Sequence, residues 1–153
     1  MKIRDNGALG NALGFDYAVQ ILREQRGVGM KNGNIKDIAI TIPIIVNCSF
    51  ACELFFKAII PKKTKRHLLY DDLFAKLELE DQNIISNSML MIMRDQGKKN
   101  YSRQDFINDL KSNQDAFLQW RYFHEPEKIG IKFDEYFLGI LQATLKGLLL
   151  GAT

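Results

Sequence analysis

Apolar residues recur at intervals of three and four along most of this chain, which is the spacing of an amphipathic helix. The stripes predict helices at about 15–25, 41–60, 67–77, 81–95, 102–124 and 134–149. Strand-like alternation is confined to two short stretches, 38–42 and 129–133. We therefore predict an all-α fold, an up-and-down bundle of five to six helices, in a single domain that covers residues 1–153.

Turn-forming residues predict where the first helices begin and end. Residues 6–14 hold three glycines and two asparagines, so the segment of about 1–14 is predicted to be flexible or weakly helical, and 26–34 to be a loop. Thr41 is predicted to cap the next helix, with Pro43 in its first turn and Pro61 beyond its end.

Ser102 and Asp105 mark a later helix start. Their spacing resembles a capping pair, with Asp in place of the usual Glu or Gln. The helix that follows is predicted to run without a break to about His124, because Pro126 disfavours helical geometry in the residue before it.

The segment 41–60 is apolar on nearly every side. It is long enough to suggest a membrane span, but it carries Asn47, Glu53 and Lys57, which are costly in a bilayer. We interpret it as the central helix of a soluble bundle.

Cysteine content and the N-terminus indicate a cytoplasmic protein. Cys48 and Cys52 lie four apart in the apolar segment, where a disulfide is strained and a zinc ion lacks its other ligands, so buried free thiols are expected. Residues 1–5 lack the apolar core of a signal peptide. We predict no metal and no cofactor.

Positive charge is local in this chain. The net charge is only +3, which is too small to indicate nucleic-acid binding by itself. The densest basic run follows Pro61 and consists of Lys62, Lys63, Lys65, Arg66 and His67. This run is either a solvated loop between helices or a patch that contacts phosphates.

Two pairs of charged residues are candidates for chemistry. Glu53 and Lys57 lie one turn apart on the apolar helix, as a structural ion pair or as part of a polar site. Arg121 and His124 lie at the end of an apolar stripe, where Glu53 is a candidate partner. Arg and His together suit a phosphate ester, but they also suit a helix C-terminus and a salt bridge to Glu53 or Glu125.

Three segments in order resemble the HEPN superfamily of small helical domains. They are Ala51-Cys52-Glu53-Leu54-Phe55-Phe56-Lys57-Ala58, then His67-Leu68-Leu69-Tyr70-Asp71-Asp72-Leu73-Phe74 after the basic loop, and Phe117-Leu118-Gln119-Trp120-Arg121-Tyr122-Phe123-His124-Glu125. The resemblance spans residues 42–149. It implies a bundle that commonly dimerises, and many catalytic members are metal-independent ribonucleases of toxin–antitoxin, abortive-infection or CRISPR systems.

The catalytic signature of that family is an Arg followed, after four to six residues, by a His. Here only two residues separate Arg121 from His124. In this resemblance Glu53 matches the acidic residue of the central helix and Arg121 matches the Arg, whereas His124 matches loosely.

Two functions follow from these observations. The first is a non-catalytic HEPN-like module, a homodimer that binds a nucleotide, RNA or a protein partner such as an antitoxin or a nucleotidyltransferase in a bacterial defence setting. The second is a divergent metal-independent endoribonuclease that uses Arg121 and His124, with Glu53 in support. A helical domain unrelated to the family is a third interpretation.

Overall fold

The computed structural model of the chain describes residues 1–33, 39–116 and 133–151, and the regular elements in these ranges are all helical. We number the α-helices of the described ranges in chain order. They are α1 (Asn6–Asn32), α2 (Thr41–Ile59), a π turn (Leu69–Leu73), a 3₁₀ turn (Phe74–Lys76), α3 (Leu79–Asp95), α4 (Arg103–Ser112) and α5 (Glu135–Leu150). The predicted all-α helical bundle is confirmed.

Helix α2 lies at the centre of the bundle. It packs against α1 and α5, and it also contacts the π turn. Ile44, Cys48, Phe55 and Phe56 are completely buried. Among the described residues, α2 is the one helix whose length and apolarity would allow it to cross a membrane, but 56% of its apolar window is buried against the rest of the chain. That burial is typical of a core helix.

A row of aromatic rings joins the helices through the core. Phe74 meets Phe56 with ring centroids 6.1 Å apart and meets Phe106 at 5.4 Å, both edge to face. Phe106 continues the row to Phe137 at 6.2 Å. Edge-to-face pairs of this kind add to the stabilisation that burial alone provides.

Helix α1 begins earlier and ends later than the glycines predict. The predictions of a flexible or weakly helical start and of a loop at 26–34 are wrong, because the helix runs from Asn6 to Asn32. It ends on Gly33, whose φ of 68° is in the left-handed region. The Asp5 side chain caps the helix by accepting from the Ala8 N–H at 3.0 Å. Tertiary contacts along α2 outweigh the low helix propensity of glycine.

The start of α2 also differs from the prediction. Thr41 is the first helical residue rather than the cap, and the preceding Ile40 supplies no side-chain cap. The Thr41 hydroxyl instead lies 3.2 Å from Nη1 of Arg26, on α1. Pro43 in the first turn and the helix end before Pro61 are confirmed.

The segment predicted as a helix at 67–77 is a π turn followed by a 3₁₀ turn. Its predicted apolar stripe is nevertheless buried: Leu69, Leu73, Phe74 and Leu77 all face the core. The wide π turn allows the adjacent Leu73 and Phe74 to be buried together.

Helix α4 begins as predicted and ends early. Ser102 and Asp105 form a complete capping box, which confirms the capping pair. The predicted unbroken helix to His124 is wrong, because α4 ends at Ser112 and a turn follows at Asn113. The Asn113 side chain accepts from the Asp134 N–H at 2.8 Å, so this turn holds the start of α5.

Arg4 and Asp5 cap the C-terminal end of α2. The backbone N–H groups of Arg4 and Asp5 donate to the carbonyl of Ala58 at 2.7 and 3.1 Å, and Nε of Arg4 donates to the carbonyl of Ile59 at 3.1 Å. These carbonyls have no partner within the helix, so the contacts satisfy them.

Helix α5 matches the predicted 134–149 within one residue, with Asp134 as its cap. An exposed apolar stripe of Phe137, Leu141 and Leu148, which their spacing in the sequence would allow as a dimer interface, is not present, because Phe137 and Leu141 are completely buried within the chain and Leu148 is partly buried against the core. Exposed apolar side chains include Tyr17, Ile21 and Val28 on one face of α1, and Tyr136 and Leu150 near the two ends of α5.

Candidate functional site

The predicted pair of Glu53 and Lys57 is present on the last two turns of α2. Nζ of Lys57 lies 2.7 Å from Oε1 of Glu53. The Glu53 side chain is 1% exposed and that of Lys57 is 17% exposed. A buried carboxylate requires compensation, and the ammonium one turn further along the helix provides it.

His67 completes this cluster, and the sequence did not indicate that contact. Its Nδ1 lies 2.8 Å from the same Oε1 of Glu53, although the two residues are fourteen positions apart. The contact is a hydrogen bond when Nδ1 carries a proton and the Glu53 carboxylate accepts it. No helical periodicity relates a loop residue to the preceding helix, so a pattern search cannot find the pair.

The second oxygen of Glu53 is not used in the same way. Oε2 is buried and has no hydrogen-bond partner among the described residues. We call Glu53, Lys57 and His67 the Glu53 cluster. Its two donors meet on one oxygen, an arrangement that fixes the loop after α2 against the helix.

Arg121 and His124, with the neighbouring Phe117 and Trp120, lie outside the described residues. Their predicted approach to Glu53 therefore stays a prediction. Within the described part of the chain, the partners of the Glu53 carboxylate are Lys57 and His67.

Lys62, Lys63 and Arg66 of the predicted basic run border a groove, whereas Lys65 and His67 of the same run do not. The groove has a volume of about 540 Å³ and is bordered by Ile60, Pro61, Lys62, Lys63, Thr64, Arg66, Asp72 and Lys76. We call it the basic groove. Its charged lining consists of four cationic side chains and one carboxylate.

Ion pairs within the basic groove are exposed. Lys63 lies 2.8 Å from Asp5 with 82% of its side chain exposed, and Arg66 lies 3.4 Å from Asp72 with 79% exposed. Asp72 also accepts from the Leu68 N–H at 3.2 Å. Exposed pairs of this kind contribute at most about 1 kcal/mol each, so both cations remain available to another anion.

The cysteines are free and buried, as predicted. Burial raises the pKa of Cys48 to about 11 and raises the pKa of Cys52 well above its usual range. Such thiols are poor nucleophiles and poor metal ligands at neutral pH. Within residues 1–33, 39–116 and 133–151, no group of three or more His, Cys, Asp or Glu side chains is placed to hold a metal ion.

Comparison of the sequence with protein families, with characterised proteins and with solved structures finds no match for this chain. The HEPN resemblance accordingly remains a prediction from the three quoted segments.

Proposed function

We propose that this chain is a non-catalytic HEPN-like module that forms a homodimer and binds RNA or a nucleotide through the basic groove. The observation that carries the proposal is the charge of the groove, where Lys62, Lys63, Arg66 and Lys76 border about 540 Å³ of space with Asp72 as the one acidic lining residue. That volume falls within the usual range for small-ligand sites.

Phosphate is the anion that this groove suits best. Arg66 offers a forked donor for phosphoryl oxygens and the lysines offer point charges. The groove is open and its cations are exposed, so a strand can lie along it with its backbone in contact. Salt dependence is expected, because each neutralised phosphate releases counterions.

The Glu53 cluster supports binding by positioning the groove. The cluster holds His67, at the end of the basic run, against α2. The Leu69 N–H then donates to the carbonyl of Gln114 at 3.1 Å, which ties the following π turn to the end of α4. Oε1 of Glu53 already meets two donors, so we assign the carboxylate a structural role rather than that of a general base.

The experiment is a binding titration of labelled single-stranded RNA, followed by fluorescence anisotropy in the presence of EDTA. The test variant replaces Lys62, Lys63 and Lys76, which all border the groove, by Gln together. All three are exposed, so their loss leaves the fold intact. We expect affinity to fall by about tenfold or more at low salt, with a shallower dependence on salt concentration.

The matched control removes the same charge elsewhere. Lys2, Lys31 and Lys99 are exposed and lie outside the basic groove. Their replacement by Gln is expected to leave most of the affinity. Equal weakening by the two triple variants would show that only net charge matters and would refute the groove as the binding site.

The same samples test the remaining parts of the proposal. Intact RNA after incubation and a dimeric mass by light scattering are expected. RNA cleavage that disappears in Arg121→Ala and His124→Ala variants would replace the proposal with the divergent endoribonuclease, and a monomeric mass would remove the homodimer.

A further inference from the structure

A second polar pocket lies between α1 and α5, and no residue of the basic groove borders it. Its volume is about 350 Å³, at the small end of the range for ligand sites. The polar residues that border it are Asp16, Gln20 and Arg23 on α1 and Gln142 and Lys146 on α5. These side chains converge from two helices.

Asp16 organises the pocket. It is 7% exposed, and its two oxygens accept three hydrogen bonds, from Nε2 of Gln142 at 2.9 Å, Nε2 of Gln20 at 2.8 Å and Nζ of Lys146 at 2.7 Å. The carboxylate therefore fixes the amide of Gln142. The opposite amide orientation would place an oxygen against a carboxylate oxygen, which is repulsive.

This orientation leaves an acceptor without a donor. Oε1 of Gln142 is buried and has no hydrogen-bond partner in the described part of the chain. Buried polar atoms in proteins are paired in the great majority of cases. An O–H or N–H group of a ligand is the chemistry that Oε1 requires.

Cationic side chains flank that acceptor. Lys146 lies one helical turn beyond Gln142, and Arg23 crosses α5 one turn before it, at Gly139. A Cβ on Gly139 would lie 2.5 Å from Nη2 of Arg23, so the guanidinium occupies space that only glycine leaves open. Both cations are partly exposed and each already has a carboxylate partner, Lys146 with Asp16 at 2.7 Å and Arg23 with Glu135 at 3.7 Å, so a bound anion would share them with these residues.

We propose that this pocket binds a small carboxylate that carries a hydroxyl or ammonium group about one helical turn, about 5.4 Å, from the carboxylate. The donor meets Oε1 of Gln142, and a carboxylate meets the guanidinium of Arg23 or the ammonium of Lys146. Val19 and Leu150 border the same pocket and supply an apolar wall for a short carbon chain. The shared chemistry is that of a short hydroxy acid or amino acid.

The test is a titration of the isotope-labelled chain with γ-hydroxybutyrate, followed by amide NMR shifts on α1 and α5. Butyrate lacks the donor and n-butanol lacks the anion, so both are matched controls. We expect γ-hydroxybutyrate to bind at least about tenfold more tightly than either. Titration with γ-aminobutyrate separates the two sources, because the tighter of the two compounds identifies a hydroxyl or an amine as the natural donor.

Two variants localise the binding. Gly139→Ala displaces the Arg23 guanidinium while it raises helix propensity, so binding is expected to fall by about tenfold with no loss of the thermal unfolding midpoint. Gln142→Leu is expected to abolish the preference for γ-hydroxybutyrate over butyrate. Gln25→Leu, at an exposed position on α1 outside the pocket, is expected to change neither result.

The proposal is overturned if no compound shifts α1 or α5 amides at about 10 mM, a concentration that reveals even weak affinity. It is also overturned if all the compounds bind alike, or if Gly139→Ala and Gln142→Leu bind as the wild type does. RNA binding by the basic groove is measured separately, so failure of one proposal is distinguishable from failure of the other.

Discussion

Removal of the Lys57 ammonium tests whether the Glu53 carboxylate is held in a dry environment. Lys57→Met keeps most of the side-chain length and leaves the carboxylate, 1% exposed, with His67 as its one remaining donor among the described residues. Breaking a buried ion pair in this way costs about 3–5 kcal/mol. Because His67 remains and Lys57 is partly exposed, we expect the lower end, about 3 kcal/mol.

A double-mutant cycle separates the pair from its surroundings. Glu53→Leu combined with Lys57→Met removes both charges, and it also removes Oε2, which has no partner in the described residues. We expect the double variant to lose only about 1 kcal/mol, less than Lys57→Met alone, because replacement of a whole buried pair by apolar residues is often nearly neutral.

The assay is urea denaturation followed by circular dichroism, with the free energy of unfolding taken from the midpoint and slope. Lys63→Met is the matched control, because Lys63 lies 2.8 Å from Asp5 but is 82% exposed. That control is expected to lose less than about 1 kcal/mol. If Lys57→Met loses as little as Lys63→Met, the reasoning about a dry carboxylate is refuted.

Three further predictions concern pH and capping. Burial raises the pKa of Cys48 to about 11. Above about pH 8.5, where an unfolded thiol ionises, only the unfolded chain loses this proton, so stability falls as pH rises. The difference between urea midpoints at about pH 8 and about pH 10 should be smaller in Cys48→Ala than in the wild type, with the buried Cys52 thiol causing part of what remains; an unchanged difference would contradict the assignment to Cys48. The forked hydrogen bond from Arg26 lowers the pKa of Glu135. The stability that this ion pair contributes is therefore present above the unfolded pKa of about 4.3 and is lost as pH falls through the lower folded pKa. Glu135→Gln should lose less stability between neutral and acid pH than the wild type does, and an unchanged dependence of stability on pH would contradict this reasoning. Ser102→Ala should cost about 1 kcal/mol, because it removes the acceptor for the Asp105 N–H, whereas Ser102→Asp should retain most of the stability; equal loss in both variants would argue against the cap.

Helix existence could be predicted here more reliably than helix ends. The spacing of apolar residues predicted α2, α3 and α5, because apolar residues recur at helical intervals in these segments and are buried in the bundle. The extent of α1 could not be predicted, because the contacts that outweigh its glycines come from α2 and from α5, where Glu135 binds Arg26 with a forked pair at 2.6 and 2.7 Å. Such contacts are invisible in a local window.

The candidate sites show the same division. The i, i+4 rule placed Lys57 on Glu53, since both lie on one helix. His67 reaches the same oxygen through a loop, and Asp16 meets Gln142 from a helix 126 residues away. Neither contact has a spacing that a sequence pattern records. The basic run was visible as a charge cluster, but the groove needed Lys76 from the 3₁₀ turn to form its other border.

The contacts of Arg4 and Asp5 with the end of α2 affect the order in which helices become stable during synthesis. Arg4 reaches the carbonyl of Ile59 across 55 positions of sequence, and its neighbour Asp5 caps α1 while its own N–H closes α2. Arg4 and Asp5 are synthesised before α2 and find these partners only when α2 is complete, so both helix termini become protected together. Until then the start of α1 can fray. Nascent chains that end before Ile59 are therefore expected to be the ones that chaperones and proteases engage.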